Sequence, residues 1–346
     1  MKFLAPVFLI AWLFACGCAS HRPGEQLVRM GDEIVIAGQL FHTGTPVVLW
    51  TDPGGFDAYR VERRFAPLDQ SDWTATTAAW TKNGLKDTNS PNRYGLRQKG
   101  LDPQELDRVR GGAWPLAMLR ERIDQFVLHF DVCGTSRQCF NILHDHRGLS
   151  VHFMIDLDGT IYQTLDVKER ARHATIANDR SVGVEIANIG AYPPSRPGPL
   201  DRWYQKDESG RERVVLPEHL LVNGEPPFRT KQFVARPARA GPIVGEVQGD
   251  KLAMQDFTPE QYEALARLTA ALCVALPRIE PDYPRDAQGK LIPKQLPPEH
   301  FAAFHGILGH YHVQANKNDP GPAMNWDWLV ERVRELMPSS VRVKTP

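Results

Sequence analysis

Apolar runs and helical periodicity alternate over the last two thirds of the chain, which predicts alternating strands and helices. The run FVLHF at 126–130 predicts a buried strand, and the run at 181–188 predicts a second one. Between them, 151–164 predicts a β-hairpin, because Asp158-Gly159 at its centre is typical of a tight hairpin turn. Helices are predicted at 135–146, from Thr258 to Pro277 and at 326–337.

Two proline-rich segments interrupt this pattern. Nine prolines fall within 191–242 and six within 277–298, which together hold 15 of the 28 prolines of the chain. Since proline cannot donate to a sheet ladder, both segments are predicted to be ordered insertions or mobile lids without strands. Before residue 120, strand-like stretches at 33–36 and 46–50 and a helix start at Asp102 carry no motif of known chemistry.

The charge balance removes one class of function. Among 346 residues, 41 Lys and Arg stand against 41 Asp and Glu, so the formal net charge is zero. A nucleic-acid binder driven by bulk charge is excluded, because such proteins need an excess of basic residues to neutralise phosphates. With 42% hydrophobic and 24% charged residues, the composition is that of a globular protein.

The N-terminus has the pattern of an export signal. Lys2 is followed by thirteen uncharged residues, a run too short to span a membrane and typical of a secretory signal. The end of the run resembles a bacterial lipoprotein signal, with Cys18 as the favoured acylation site and Cys16 as the alternative. We therefore expect an exported, lipid-anchored protein, in the outer membrane facing the periplasm if the cell has two membranes.

Three residues stand out as possible metal ligands. His129 lies in the first buried strand, His310 follows a glycine far downstream, and Asp319 lies in the run KNDPGP at 317–322. Two imidazoles and one carboxylate, with a water in the fourth position, form a standard catalytic zinc site. Because 181 residues separate the two histidines, spacing alone does not connect them.

A resemblance to a known family does connect them. The chain resembles the zinc-dependent N-acetylmuramoyl-L-alanine amidases that share their fold with animal peptidoglycan recognition proteins. The resemblance extends over about 121–337 and does not cover 19–120. The matching blocks, in family order, are VLH (127–129), LSVHF (149–153), DGTIYQ (158–163), RHA (172–174), NDRSVGVEI (178–186), GH (309–310) and KNDPGP (317–322).

The resemblance implies zinc bound by His129, His310 and Asp319. Two other histidines compete for such a role. His312 would share a strand face with His310 and is the strongest rival ligand, although the block around Asp319 favours the carboxylate. His152 is expected to be a packed histidine or one that lies behind the ligands.

The resemblance also implies roles in catalysis. Glu185 falls on the carboxylate that bacterial members use as general base, although a structural salt bridge is the alternative for a charge in an apolar strand. Lys317 falls on the basic residue that stabilises the oxyanion, and His173 is expected to contact the substrate. Recognition proteins carry a catalytic Tyr where this chain has Val151, so the mechanism depends more on Glu185.

The cysteines outside the export signal receive two different interpretations. Cys133 and Cys139 follow the first ligand in an exported domain, which favours a disulfide over two free thiols, and recognition proteins carry a similar pair. Cys273 falls on the apolar face of the helix after Thr258 and is predicted to be a buried thiol.

We therefore predict an α/β fold with a mixed central β-sheet flanked by helices, as in type 2 amidases and recognition proteins, and a small β-rich N-terminal region. The predicted parts are a lipoprotein signal at 1–18, an N-terminal region of unknown role at 19–120, a zinc amidase domain at 121–337 with proline-rich insertions at 191–255 and 277–298, and a tail at 338–346.

The predicted function is zinc-dependent hydrolysis of the amide between N-acetylmuramic acid and L-alanine in peptidoglycan or muropeptides. The expected partners are these substrates and the membrane, through a lipid anchor, with no nucleic acid and a monomeric chain. Two alternatives remain open: a peptidoglycan-binding lipoprotein without catalysis, and a zinc amidase that acts on another amide.

Overall fold

A computed structural model describes residues 23–59, 94–110, 112 and 114–339. The chain divides into two units, Met1–Met30 and Gly31–Pro346. In the first unit, residues 23–30 are described and contain neither helix nor strand. The predicted export signal, with Cys16 and Cys18, lies outside the described residues.

The second unit alternates strands and helices. The strands are β1 (Glu33–Ile36), β2 (Gln39–His42), β3 (Val47–Leu49), β4 (Tyr94–Gly95), β5 (Gln125–Phe130), β6 (Phe153–Ile155), β7 (Ile161–Gln163), β8 (Arg170–Ala171), β9 (Ser181–Ile186), β10 (Tyr204–Lys206), β11 (Glu212–Val214), β12 (Ile243–Val247), β13 (Asp250–Met254) and β14 (Gly306–Gly309). The α-helices are α1 (Pro103–Arg110), α2 (Leu116–Arg122), α3 (Ser136–Phe140), α4 (Leu200–Trp203), α5 (Pro259–Ala275), α6 (Pro298–Ala303), α7 (His310–Val313) and α8 (Trp326–Leu336).

Six strands form a mixed central sheet in the order β14-β5-β9-β6-β7-β3. β6 and β7 are the predicted antiparallel hairpin, and the other neighbouring pairs are parallel. Helices flank this sheet, and a small β-rich region precedes it, which confirms the predicted fold class.

The predicted helix signals are present, with one change. The Thr258 hydroxyl accepts from the backbone N–H of Gln261 at 3.0 Å, and the Gln261 side chain accepts from the N–H of Thr258 at 2.9 Å, a reciprocal cap that begins α5. The helix predicted at 135–146 continues from α3 as a π-helical turn, Asn141–His146. A π-turn widens the backbone locally and is often found near functional sites.

Alternation along the strands separates the two faces of the sheet. Phe126 and Leu128 of β5 point into the main core with Val182 and Val184 of β9, and this core also contains the apolar faces of α5 and α8. The residues between them along each strand therefore point to the opposite face. That face carries the polar residues of β5 and β9.

The prediction that 191–242 contains no strands was wrong. β10 pairs antiparallel with β11, from Tyr204↔Val214 to Lys206↔Glu212. The stretch from 204 to 214 contains no proline, so the prolines flank this short hairpin and do not interrupt its ladder. In 277–298 the structure has one isolated bridge, Arg285↔Leu291.

From Gly31 onward, the described parts of the predicted N-terminal region belong to the same unit as the sheet. β3 pairs with β7 at the edge of the sheet. The Gln163 side chain extends this contact, because its amide accepts from the N–H of Val35 at 2.7 Å and donates to the Val35 carbonyl at 2.8 Å. The boundary predicted at residue 120 stays a prediction, but 31–59 and 94–110 contribute directly to the architecture.

One buried carboxyl at the end of β6 is incompletely paired. Asp156 is 1% exposed, and its Oδ1 accepts from the backbone N–H of Leu157 at 2.9 Å and of Ser136 at 3.4 Å. Among the described residues, its Oδ2 has no hydrogen-bond partner, nor does the Ser136 hydroxyl. Burial, with the neighbouring Asp158 carboxylate, raises the pKa of Asp156 from 3.8 to about 8.

Asp156→Asn is expected to stabilise the protein at pH 8 by ~1–3 kcal/mol and to change its stability little near pH 4. A carboxyl with a raised pKa in the folded state holds a proton that the unfolded chain has lost, so its contribution to stability falls as the pH rises from about 4 to 8. Urea unfolding of both proteins at the two pH values measures this. Asp201→Asn, an exposed change, is the control, and an equal effect of Asp156→Asn at both pH values would contradict the assignment.

Candidate metal centre and groove

The central strands place the first site residues side by side. In the parallel pair of β5 and β9, His129 lies opposite Glu185, and both belong to the polar set of positions that points away from the main core. Both side chains are buried, with His129 at 2% and Glu185 at 9% exposure. The local pattern of each strand and the register between them therefore create a histidine-carboxylate pair on one face.

Two more residues reach His129 from the C-terminal part of the chain. His310 begins α7 directly after β14, the strand that pairs with β5, and Asp319 lies nine residues further on. His129 Nδ1 lies 3.0 Å from His310 Nδ1 and 2.8 Å from Asp319 Oδ2, and the remaining pair is 3.0 Å apart. The three predicted ligands are thus gathered around one point.

This donor set fits a zinc ion. Zinc bonds of ~2.0–2.1 Å in tetrahedral geometry place neighbouring ligand atoms about 3.3 Å apart, close to the 2.8–3.0 Å separations in the structure. Burial, reinforced by the nearby His310, lowers the pKa of His129 to about 4, so its ring is neutral as a ligand must be. Burial acts to raise the pKa of Asp319, but the adjacent imidazoles of His129 and His310 hold it below its usual value.

Hydrogen-bond acceptors behind His129 and His310 determine which ring nitrogen of each faces the other candidate ligands. His310 Nε2 donates to Gln314 Oε1 at 2.7 Å, which leaves the Nδ1 lone pair free. His129 Nε2 lies 3.0 Å from His173 Nδ1, and His173 Nε2 lies 3.2 Å from the Ser181 hydroxyl. If His129 and His173 each carry their proton on Nε2, both contacts are hydrogen bonds. The Nδ1 lone pair of His129 is then free as well.

His173 therefore lies behind a ligand as well as at the groove wall. Its ring packs over Gly183, where an added Cβ would be 2.5 Å from Nδ1. The predicted contact between His173 and the substrate stays a prediction. The structure assigns His173 a second role, as hydrogen-bond acceptor from His129.

The two competing histidines are occupied elsewhere. His312 Nδ1 accepts from the Gly309 N–H at 2.8 Å, and its Nε2 lies 2.8 Å from the Ile292 carbonyl. His152 Nδ1 accepts from the Gly183 N–H at 3.1 Å, and its Nε2 lies 3.0 Å from the Glu169 carbonyl. Since both ring nitrogens are used in each case, neither histidine offers a lone pair to a metal.

Glu185 has the environment of a proton acceptor. Its Oε2 is buried and has no hydrogen-bond partner among the described residues, so the alternative of a structural salt bridge finds no support there. Burial, with the nearby carboxylates of Asp319 and Asp131, raises the pKa of Glu185 well above its usual value, and Arg147 acts weakly in the opposite direction. A raised pKa brings a carboxylate closer to the working pH of a general base.

An open groove of about 270 Å³ runs along these residues. Lys317 lies on the side of Asp319, whereas Arg147 and Arg172 lie on the side of the π-helical turn. The Arg172 N–H donates to the Ser150 hydroxyl at 3.0 Å, which joins the two arginine-bearing loops. No ion pair to any of these three cations is found among the described residues.

The loop after His129 corrects one prediction. Cys133 and Cys139 are free thiols in the structure and do not form the predicted disulfide. Burial raises the pKa of the Cys139 thiol well above its usual value, and its hydrogen bond to Cys133 acts in the same direction. A raised pKa leaves less thiolate, the form that attacks in disulfide formation, so this environment slows oxidation of the pair. Cys273 is buried as predicted, at 1% exposure.

The loop itself is held by Asp131, whose Oδ1 accepts from the backbone N–H groups of Cys133, Gly134 and Asn188. Val132 between them has a positive φ of 55°, an uncommon conformation for a β-branched residue, and its side chain is 49% exposed at the groove. The carboxylate thus stabilises a strained turn directly after a candidate ligand.

Residues 119–215 match the family model described as N-acetylmuramoyl-L-alanine amidase. The chain is therefore similar to the type 2 amidase family over this segment. It is an enzyme of the N-acetylmuramoyl-L-alanine amidase class. The matched segment contains His129 and Glu185, and the tertiary structure of this amidase brings His310 and Asp319 to them from beyond it.

Three solved structures illustrate what the chain is similar to. A selenomethionine derivative of AmpD is 17% identical, covering 71% of this chain and 91% of its own, with a TM-score of 0.31. AmpDh3 from Pseudomonas aeruginosa is 17% identical, with coverages of 61% and 59% and a TM-score of 0.34. AmiD from E. coli, in complex with anhydro-N-acetylmuramic acid-L-Ala-D-gamma-Glu-L-Lys, is 18% identical, with coverages of 64% and 58% and a TM-score of 0.32. No curated protein matches the chain significantly.

The sequence did not indicate one buried cation near the site. Arg97 is 1% exposed, and its guanidinium donates to the carbonyls of Val167, Asn178 and Ser181 at 2.9–3.2 Å. Burial lowers its pKa to about 9. Arg97 thereby ties the predicted N-terminal region to the start of β9, and no motif surrounds it that would have revealed this role.

Proposed function

We propose that this amidase uses zinc to hydrolyse the amide between the lactyl group of N-acetylmuramic acid and L-alanine, in peptidoglycan or in muropeptides. The observation that carries the proposal is the convergence of His129, His310 and Asp319 within 3.0 Å of one another, beside the buried Glu185. The groove along these residues is open to a polymeric or fragmentary substrate.

The chain would hold the ion through Nδ1 of His129, Nδ1 of His310 and Oδ2 of Asp319, the atoms that face one another. When bound, zinc supplies a Lewis acid for the amide carbonyl and lowers the pKa of a water molecule towards ~7. The hydrogen bonds from the histidines to Gln314 and His173 would keep both rings in the ligating orientation.

The chemistry of proton transfer falls to Glu185. Its free Oε2 accepts a proton from the attacking water and returns it to the leaving amine of L-alanine, which would otherwise depart as an unfavourable anion. Lys317 lines the groove and carries the positive charge suited to the developing oxyanion. A preorganised charge of this kind contributes about 3 kcal/mol to transition-state stabilisation.

The part of the groove that Arg147 and Arg172 line suits an anionic peptide. Arg147 and Arg172 lie there without ion-pair partners among the described residues. The muropeptide bound by AmiD contains a γ-linked glutamate, whose α-carboxylate is left free by that linkage. We assign the peptide side of the substrate to this part of the groove, because guanidinium groups bind carboxylates through paired hydrogen bonds.

The proposed cellular location rests on the N-terminal signal alone. We propose that acylation of Cys18, or of Cys16, anchors the amidase in the outer membrane facing the periplasm. Among the residues that the structure describes, there is no helix with the length and apolarity needed to cross a membrane.

Digestion of purified sacculi and of isolated muropeptides, followed by mass spectrometry, tests the proposed reaction. The expected result is release of stem peptides with a free L-alanine amino group, abolition of release by exhaustive chelation, and recovery on addition of zinc. Full activity after chelation would contradict the metal-dependent mechanism. Zinc binding without release of peptide would indicate a peptidoglycan-binding protein or an amidase for another amide.

A further inference from the structure

The two proline-rich insertions meet on the segment that carries two of the candidate ligands. Gln248 lies at the tip of the β12–β13 hairpin in the first insertion. Its side-chain Nε2 lies 2.8 Å from the Tyr311 carbonyl oxygen, 3.0 Å from that of Gln314 and 3.3 Å from that of Lys317. Three carbonyls of one short segment thus converge on one amide group.

The hairpin turn is built to present this side chain. Gln248 and Gly249 have φ values of 57° and 86°, a two-residue turn in which Asn, Asp or Gly is the usual first residue. The Gln248 N–H donates to the Pro293 carbonyl at 2.8 Å, and its Oε1 accepts from the Gln295 N–H at 3.1 Å. Gln248 is therefore held by the second insertion while its Nε2 contacts the ligand segment.

The contacted segment depends on outside partners. α7 is a single turn, and such a short helix leaves its last carbonyl groups without partners in the helix. The Gln248 amide donates to the Tyr311 carbonyl, the Leu296 N–H donates to that of His312 at 3.0 Å, and Gln295 Nε2 donates to that of Val313 at 3.1 Å. The same segment contains His310 and the Gln314 side chain that accepts from His310 Nε2.

We propose that Gln248 is a positioning residue for the metal centre. By capping the carbonyls of residues 311, 314 and 317, it fixes His310, Lys317 and Asp319 relative to His129. The proline-rich insertions then hold the segment that carries His310 and Asp319 from behind. This proposal rests on the zinc site of the proposed function.

Two substitutions test the side-chain amide of Gln248 separately from the conformation of the turn. Gln248→Gly retains a residue that accepts the positive φ and removes the amide, whereas Gln248→Glu retains the size and places a carboxylate oxygen against three carbonyls. The matched control is Gln205→Glu, because Gln205 is exposed in the same insertion and donates to one carbonyl, that of Arg202, at 3.3 Å.

The measurement is the zinc dissociation constant, by competition with a chromophoric chelator, together with the melting temperature of the metal-free protein. We expect both Gln248 variants to bind zinc about 10–100-fold more weakly, as found for residues that support metal ligands, and Gln205→Glu to match wild type. Lower melting temperatures with wild-type zinc affinity would show a merely structural role and overturn the inference, as would unchanged affinity at unchanged stability. Failure of wild type itself to bind zinc would instead refute the proposed function.

Discussion

Glu185→Gln is expected to lower kcat for muropeptide amide hydrolysis by about 10²–10⁴-fold and to leave zinc binding unchanged. Glutamine has the shape of glutamate and fits the same buried position in β9, but its amide oxygen does not accept a proton from water at neutral pH. The loss therefore reports proton transfer and not the structure of the site.

Zinc content by elemental analysis and kcat on a purified muropeptide are the two measurements. Glu246→Gln is the control, since Glu246 is an exposed glutamate of β12 outside the groove. Loss of zinc together with activity would show that Glu185 supports the metal site instead. Activity within a few fold of wild type would remove Glu185 from the mechanism.

Asp319→Ala is expected to weaken zinc binding by more than ~100-fold and to reduce hydrolysis below detection. Residues that only support metal ligands contribute about 10–100-fold, and a direct ligand contributes more. The change also removes the carboxylate that lies 2.8–3.0 Å from both imidazoles, so two buried histidines would face each other without an acceptor.

Asp319→Cys provides a rescue, because a thiolate is a good zinc ligand and reaches a similar position. We expect it to recover most of the zinc affinity, whereas Asn318→Ala, at the neighbouring position, should resemble wild type. Chelator competition and elemental analysis measure both effects. Retention of zinc by Asp319→Ala would show that the ion is bound by another set of residues.

Much of the local structure was predictable because its causes lie within a few residues. The apolar run of β5, the Asp-Gly hairpin and the Thr258 cap each depend on side-chain periodicity or on hydrogen bonds to nearby backbone groups. The same reasoning anticipated that His129 and Glu185 lie on buried strands, and the ordered motif blocks indicated the amidase family.

Contacts between distant residues could not be derived in this way. The register that sets His129 opposite Glu185 depends on the whole sheet, and His310 reaches His129 across 181 residues because β14 pairs with β5. His312 was the strongest rival ligand in the sequence, and in the structure its two ring nitrogens are occupied by Gly309 and Ile292.

Two predictions were wrong because the spacing of residues along the chain does not show what surrounds them in the fold. The separation of Cys133 and Cys139 suggested a disulfide, but both are free thiols in the structure, and burial raises the pKa of Cys139. The prolines of 191–242 suggested a segment without strands, although a proline-free stretch within it forms β10 and β11.

The sequence by itself determined the residue types of an amidase with a candidate metal site, their order and the strands and helices that carry them. The tertiary structure decided which of twelve histidines face one another, and it gave the proline-rich insertions a place behind the ligand segment. The physical reason is that periodicity and capping act over a few residues. The convergence of side chains instead depends on the packing of the whole core, whose contacts join residues far apart in the chain.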